Sequence, residues 1–112
     1  MGYTTTFDGQ FTFSRELTLR EYNTLRKVAH ERHDRKTHPD YYCQWIPTDD
    51  GLGLRWDGNE KFSSYKEWLE YLIKHYFKPW GVVLSGEVFF RGEERRDVGS
   101  LVVVDNLVSI RR

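Results

Sequence analysis

Three histidines, His30, His33 and His38, precede a lone cysteine, Cys43, within fourteen positions of the chain. Imidazole and thiolate are the side chains that suit zinc. The spacing matches no zinc motif, because His30 and His33 fall on one predicted helix while Cys43 falls in a strand. The simpler reading places the histidines at a charged helix end, beside its negative dipole pole, with Cys43 a small core residue. A second group of hard-cation types, Asp49, Asp50, Asp57 and Glu60, fits no calcium-loop spacing. Two of its members sit in Asp-Gly pairs that turns already explain. Cys43 lacks the local signatures of a cysteine nucleophile, no glycine-rich phosphate cradle precedes a helix, and no pair of the 17 acids stands out for acid–base work. The expectation is a chain with no catalytic residue, metal or cofactor: a binding protein rather than an enzyme.

Two further groups could bind a partner. Arg26, Lys27, Arg32, Arg35 and Lys36 cluster at the end of the first helix, and a basic cluster is the electrostatic footprint of nucleic-acid binding. The charge is local. From Arg15 to Lys36 there are seven basic and four acidic residues, from Asp49 to Glu70 three and six, and the whole chain balances 17 against 17. Long-range attraction to nucleic acid or anionic lipid is therefore not built into the molecule. Aromatic anchors are the other group. Tyr41, Trp45 and Trp56 border the loop and turns at one end of the sheet, and a partly exposed ring there suits a protein interface. With Arg32 and Arg35 as rim charges, these five residues are the expected partner-binding set.

The elements that must position them follow from periodicity and turn chemistry. Residues 3–13 have a β pattern, with Phe11 and Phe13 two apart and a bend at Asp8-Gly9. Thr18-x-x-Glu21 is a capping box that opens a helix to about Arg32, burying Tyr22, Leu25, Val28 and Ala29. Residues 33–40 are polar and read as a loop. Residues 41–47 and 52–56 flank Thr48-Asp49-Asp50-Gly51 as a hairpin, with Leu52, Leu54 and Trp56 on one face.

Ser64-x-x-Glu67 is a second capping box, and Tyr65, Trp68, Leu69, Leu72, Ile73 and Tyr76 follow it at helical spacing. Pro79 stops that helix, and Gly81 releases the chain. Val82 to Arg91 is a strand with a possible break at Gly86. Val98 to Val104 and Leu107 to Ile110 pair across Asp105-Asn106, placing Leu101, Val103, Val108 and Ile110 on the core face. The order predicts an α+β fold: an antiparallel sheet with two helices on one face, in the ferredoxin-like β-α-β-β-α-β order, extended by a C-terminal β-hairpin, with an unrelated α+β sandwich as the alternative. That fold is shared with RNA-recognition modules, but the third strand, Leu52 to Trp56, lacks their basic-aromatic signature. A protein partner is therefore the first expectation, and an RNA- or DNA-binding module using the first helix and following loop is the alternative.

At 112 residues the whole chain, 1–112, reads as one domain able to bury about two thirds of its unfolded surface without staples. A single cysteine excludes an intramolecular disulfide and suits a reducing, cytoplasmic setting. No apolar run reaches the length of a membrane span, and the first residues lack a signal-peptide pattern. Met1-Gly2 with Thr6 matches the bare N-myristoylation pattern, yet Tyr3 to Phe7 reads better as a buried strand, so lipidation is not expected.

The succession Cys43-Gln44-Trp45-x-Pro47, Trp56-Asp57-Gly58, Glu60-Lys61-Phe62, Glu67 to Ile73, Lys78-Pro79-Trp80-Gly81 and Gly86-Glu87-Val88 resembles a family of small uncharacterised bacterial and phage proteins. Gly92-Glu93, Asp97, Val102 to Asn106 and Val108 fit the same pattern, while the segment between the first helix and Trp45 is shorter here. The resemblance implies no activity, cofactor or catalytic residue. It implies a context, that of a phage or mobile-element accessory protein that binds a host protein.

Overall fold

Phe11 and Phe13 lie two apart, so both side chains enter the same face of a strand, and both are buried while Thr12 between them is exposed. The computed structural model describes residues 3–112; the myristoylation pattern at Met1 and Gly2 lies outside them. The N-terminal β segment is two short strands, β1 (Thr6–Asp8) and β2 (Phe11–Phe13), separated by Gly9 at φ 106°. A positive φ is open to glycine because it has no Cβ, and here it delivers the bend expected at Asp8-Gly9.

Helix α1 (Leu19–His30) opens with the predicted capping box: the Glu21 amide donates to Thr18 Oγ1 at 3.1 Å and the Thr18 amide to Glu21 Oε1 at 2.9 Å. It ends two residues before the expected Arg32. Strands β3 (Trp45–Pro47) and β4 (Gly53–Trp56) form the expected hairpin, with Gly51 at φ 70° in the turn. Residues 41–44 lie outside the strand, and Leu52 is exposed rather than aligned with Leu54 and Trp56.

The second helix, α2 (Tyr65–Leu72), has no side-chain cap. Ser64 Oγ donates instead to Asp40 Oδ2 at 3.2 Å, so the second capping box is not formed. Nor does Pro79 stop the helix. A π turn over Ile73–Phe77 sends the Lys78 amide back to the Ile73 carbonyl, and a final turn, α3 (Lys78–Trp80), carries Pro79 near its start. Proline is tolerated there because its missing N–H has no partner to lose. Gly81 at φ 72° then closes the helix in the left-handed conformation.

Strands β5 (Leu84–Arg91), β6 (Val98–Val104) and β7 (Leu107–Arg111) complete the sheet, and β5 runs unbroken through Gly86. The spatial order is β3-β4-β2-β5-β6-β7, with β1 beside β2 on the same flank of β5, and every pairing is antiparallel. The fold is α+β, and the C-terminal hairpin extends the sheet. Its first strand is divided, so the element order begins β-β rather than with the single strand expected.

One core fills the space between the sheet and the helices. Phe11, Trp45, Leu54, Val88 and Leu101 from the strands meet Leu25, Trp68, Leu72 and Phe77 from the helices, all essentially inaccessible. Among the described residues the opposite face of the sheet carries no helix. No helix among the described residues is long and apolar enough to cross a membrane.

Candidate interaction site

Three of the five expected partner-binding residues come together. The loop after α1 folds back so that the His33 amide donates to the Tyr41 carbonyl at 2.7 Å. Tyr41 is thereby held beneath two guanidinium groups, Arg32 at 4.5 Å and Arg35 at 5.3 Å from its ring centroid. A cation over an aromatic face is attracted by the ring quadrupole. Arg35 also reaches Asp40 at 3.6 Å. Tyr41 keeps an exposed edge, so this cluster presents one ring framed by two cations.

The two tryptophans do not join it. Trp45 is 1% exposed, and its indole N–H donates to the Tyr65 carbonyl at 2.9 Å. Phe7, Phe11 and Phe62 meet its ring edge-on at 5.4–5.5 Å. It is a core residue and cannot anchor a partner without unfolding. The reason is tertiary: β3 is an outer strand, but α1 packs against it and covers its inner face. Trp56 is half-buried, with its indole N–H shared between Gln44 Oε1 at 3.2 Å and the Asn59 carbonyl at 3.0 Å. Only part of its ring faces outward.

The histidines also separate from Cys43. His33 stacks on His38 at 4.4 Å, its Nε2 2.7 Å from the Val28 carbonyl oxygen, and both rings lie against Trp68. Tyr71 extends this row, 5.1 Å from His38 and 4.2 Å from His75. Cys43 points into the core, where burial pushes its thiol up to about 12 and its Sγ donates to the Trp45 carbonyl at 3.6 Å. A thiol so held is not a nucleophile at neutral pH. Among the described residues no three metal-binding side chains converge.

The acids have local tasks. Asp50 Oδ1 accepts from Thr48 Oγ1 at 2.6 Å and from the Leu52 amide at 3.0 Å, which holds its carboxyl below the usual range. Asp57 Oδ1 accepts from the Asn59 amide at 2.8 Å. Both are turn residues, as their Asp-Gly settings implied.

One feature of the surface was missed by sequence reasoning. On the helix-free face, β6 presents Val98, Val102 and Val104, with Phe89 of β5 on one side and Leu107 of β7 on the other. Phe89 is 57% exposed, Val104 59% and Leu107 71%, values far above those of core side chains. Glu87, Arg91 and Arg111 border this ridge. Beside Phe89 a shallow groove of about 720 Å³ runs between Thr6, Arg91, Ser100 and Arg111. One signal was present in the sequence: Leu101 to Val104 is apolar at every position, and a strand apolar on both faces asks for cover on both.

The chain matches no protein-family model, no curated protein and no solved structure.

Proposed function

We propose that this chain is a non-enzymatic protein-interaction domain that engages its partner through the helix-free face of the sheet. One observation carries the reading: Phe89, Val98, Val104 and Leu107, all exposed, share that face of three neighbouring strands with the half-buried Val102, around Ser100. Scattered exposed apolar residues are ordinary, but a contiguous patch rimmed by polar groups marks an interaction surface. Its rim mixes signs, with Glu87 toward one end and Arg91 and Arg111 toward the other, which suits a protein more than a polyanion. Tyr41 with Arg32 and Arg35 offers a smaller second contact near the end of α1. The resemblance to small bacterial and phage proteins supports a role as a phage or mobile-element accessory factor that binds a host protein. A cytoplasmic setting belongs to this reading, supported by the lone thiol.

The test is affinity capture from the native host with the wild type, Phe89→Ser, Val104→Asp and Tyr41→Ala. Loss of a stoichiometric partner with Phe89→Ser and Val104→Asp, at an unchanged thermal midpoint, is the expected result. A parallel titration of labelled RNA and DNA at two salt concentrations decides the competing reading. Tight, salt-sensitive binding that disappears when Arg26, Arg32 and Arg35 are neutralised would replace the protein-partner proposal with a nucleic-acid module.

A further inference from the structure

The two edges of the sheet are treated differently. At one edge, β3 is three residues long, carries Pro47, is buried along its length and lies against α1. Short length, proline and cover are the devices that keep an edge from pairing with another chain. At the other edge, β7 is five residues long and regular, has no proline, and includes Leu107 at 71% and Ile110 at 37% exposure. Helix α2 touches its inner face, but among the described residues neither proline nor a further strand closes its outer edge.

The turn sets which backbone groups this edge offers. Asp105 at φ 49° and Asn106 at φ 67° make a two-residue turn with positive φ at both positions, so Val104 and Leu107 form the hydrogen-bonded pair that closes it. Alternation then directs the N–H and C=O groups of Leu107, Ser109 and Arg111 toward β6, and those of Val108 and Ile110 outward. Unpaired outward groups on a flat edge are a template for another strand.

We infer that β7 pairs antiparallel with β7 of a second copy of this chain, about a two-fold axis at Ser109. The strand is complementary to itself in that register. Val108 faces the partner's Ile110 on the core side, twice by symmetry, covering the half-open end of the core. Leu107 lies beside the aliphatic stem of the partner's Arg111. Arg111 of each copy runs toward the Asp105–Asn106 turn of the other, where Asp105 supplies the opposite charge, while Arg112 stays on Asp97 of its own chain at 2.9 Å. The contact uses the sheet's edge and leaves the Phe89 ridge free, joining two such ridges into one longer face.

Two variants and one control test this. Ser109 faces its own copy across a non-hydrogen-bonded pair, where Cα atoms approach to about 4.5 Å, a separation that a disulfide spans. Under mild oxidation Ser109→Cys should form a covalent dimer at least tenfold faster than Leu19→Cys, whose site on α1 is also exposed; the native Cys43 is buried and silent. Sedimentation of the wild type should show a dimer that grows with concentration. Ile110→Pro removes the outward N–H together with the side chain that faces the partner's Val108, and should give a monomer with unchanged circular dichroism. Phe89→Ser should leave the dimer intact. A wild type that stays monomeric at every concentration overturns the inference, as do equal crosslinking rates for the two cysteine variants. A dimer that survives Ile110→Pro, or one that dissolves with Phe89→Ser, overturns it too, the last by placing the contact on the face.

Discussion

Asn106 Oδ1 accepts a 2.7 Å hydrogen bond from the Leu84 amide, which ties the turn between β6 and β7 to the first residue of β5. The same side chain donates through Nδ2 to the Val82 carbonyl at 3.1 Å, and the Asn106 amide donates to the Leu84 carbonyl at 3.1 Å. A turn residue thus closes the ladder where the chain leaves its second helix. Asn106→Gly keeps the positive φ but removes both side-chain bonds, and should cost about 2 kcal/mol. Urea unfolding measures the loss; a change below a few tenths would show that the clamp contributes nothing.

Gly86 stands at φ 136°, and a Cβ built there would lie 3.2 Å from the Phe11 Cα, a backbone atom that cannot swing aside. Gly86→Ala should therefore destabilise the domain by about 2 kcal/mol or more. Phe11 packs at the centre of the core, so near-ultraviolet circular dichroism should change with the thermal midpoint. A variant as stable as the wild type would contradict this account of the β2–β5 contact.

Arg15 grips Glu21 through two bonds of 2.7 and 2.8 Å, and that grip lowers the Glu21 carboxyl to about 2. A carboxyl depressed in the folded state stabilises the fold above its unfolded pKa, and the benefit is lost as pH falls through the folded value. Stability should thus decline from roughly pH 4.5 toward pH 2 through this group. In Glu21→Gln, the part of that slope due to Glu21 should vanish, read as thermal midpoint against pH. Identical slopes for the two proteins would remove Glu21 from the acid response.

Cys43 should resist thiol reagents in the native protein and react only as the chain unfolds. Its side chain is 1% exposed, and burial keeps it protonated through the ordinary pH range. The labelling rate should rise with denaturant in step with global unfolding. Stoichiometric labelling within seconds at neutral pH, with the fold intact, would contradict the core placement.

Local signals in the chain settled much of this architecture. Thr18 and Glu21 cap α1 because the bonds they make join residues three apart. Asp105 and Asn106 adopt positive φ because their short polar side chains tolerate it, and the apolar residues on either side permit one register. Cys43 was read as a small core residue and is buried, although it precedes the strand rather than alternating with Trp45 within it.

Tertiary contacts decided the rest. Ser64 carries the signature of a cap, yet Asp40 from a distant loop takes its hydroxyl. Pro79 carries the signature of a stop, yet the π turn before it shifts the hydrogen bonding so that proline sits at the start of a new turn. Trp45 and Phe89 show the same limit on the surface. Each ring sits in a strand, and its residue type alone does not say which face a helix covers. Packing buried the first and left the second open. Sequence spacing governs which side chains share a face; which face meets the helices depends on how the whole sheet assembles, and so the open apolar face was settled only in the folded chain.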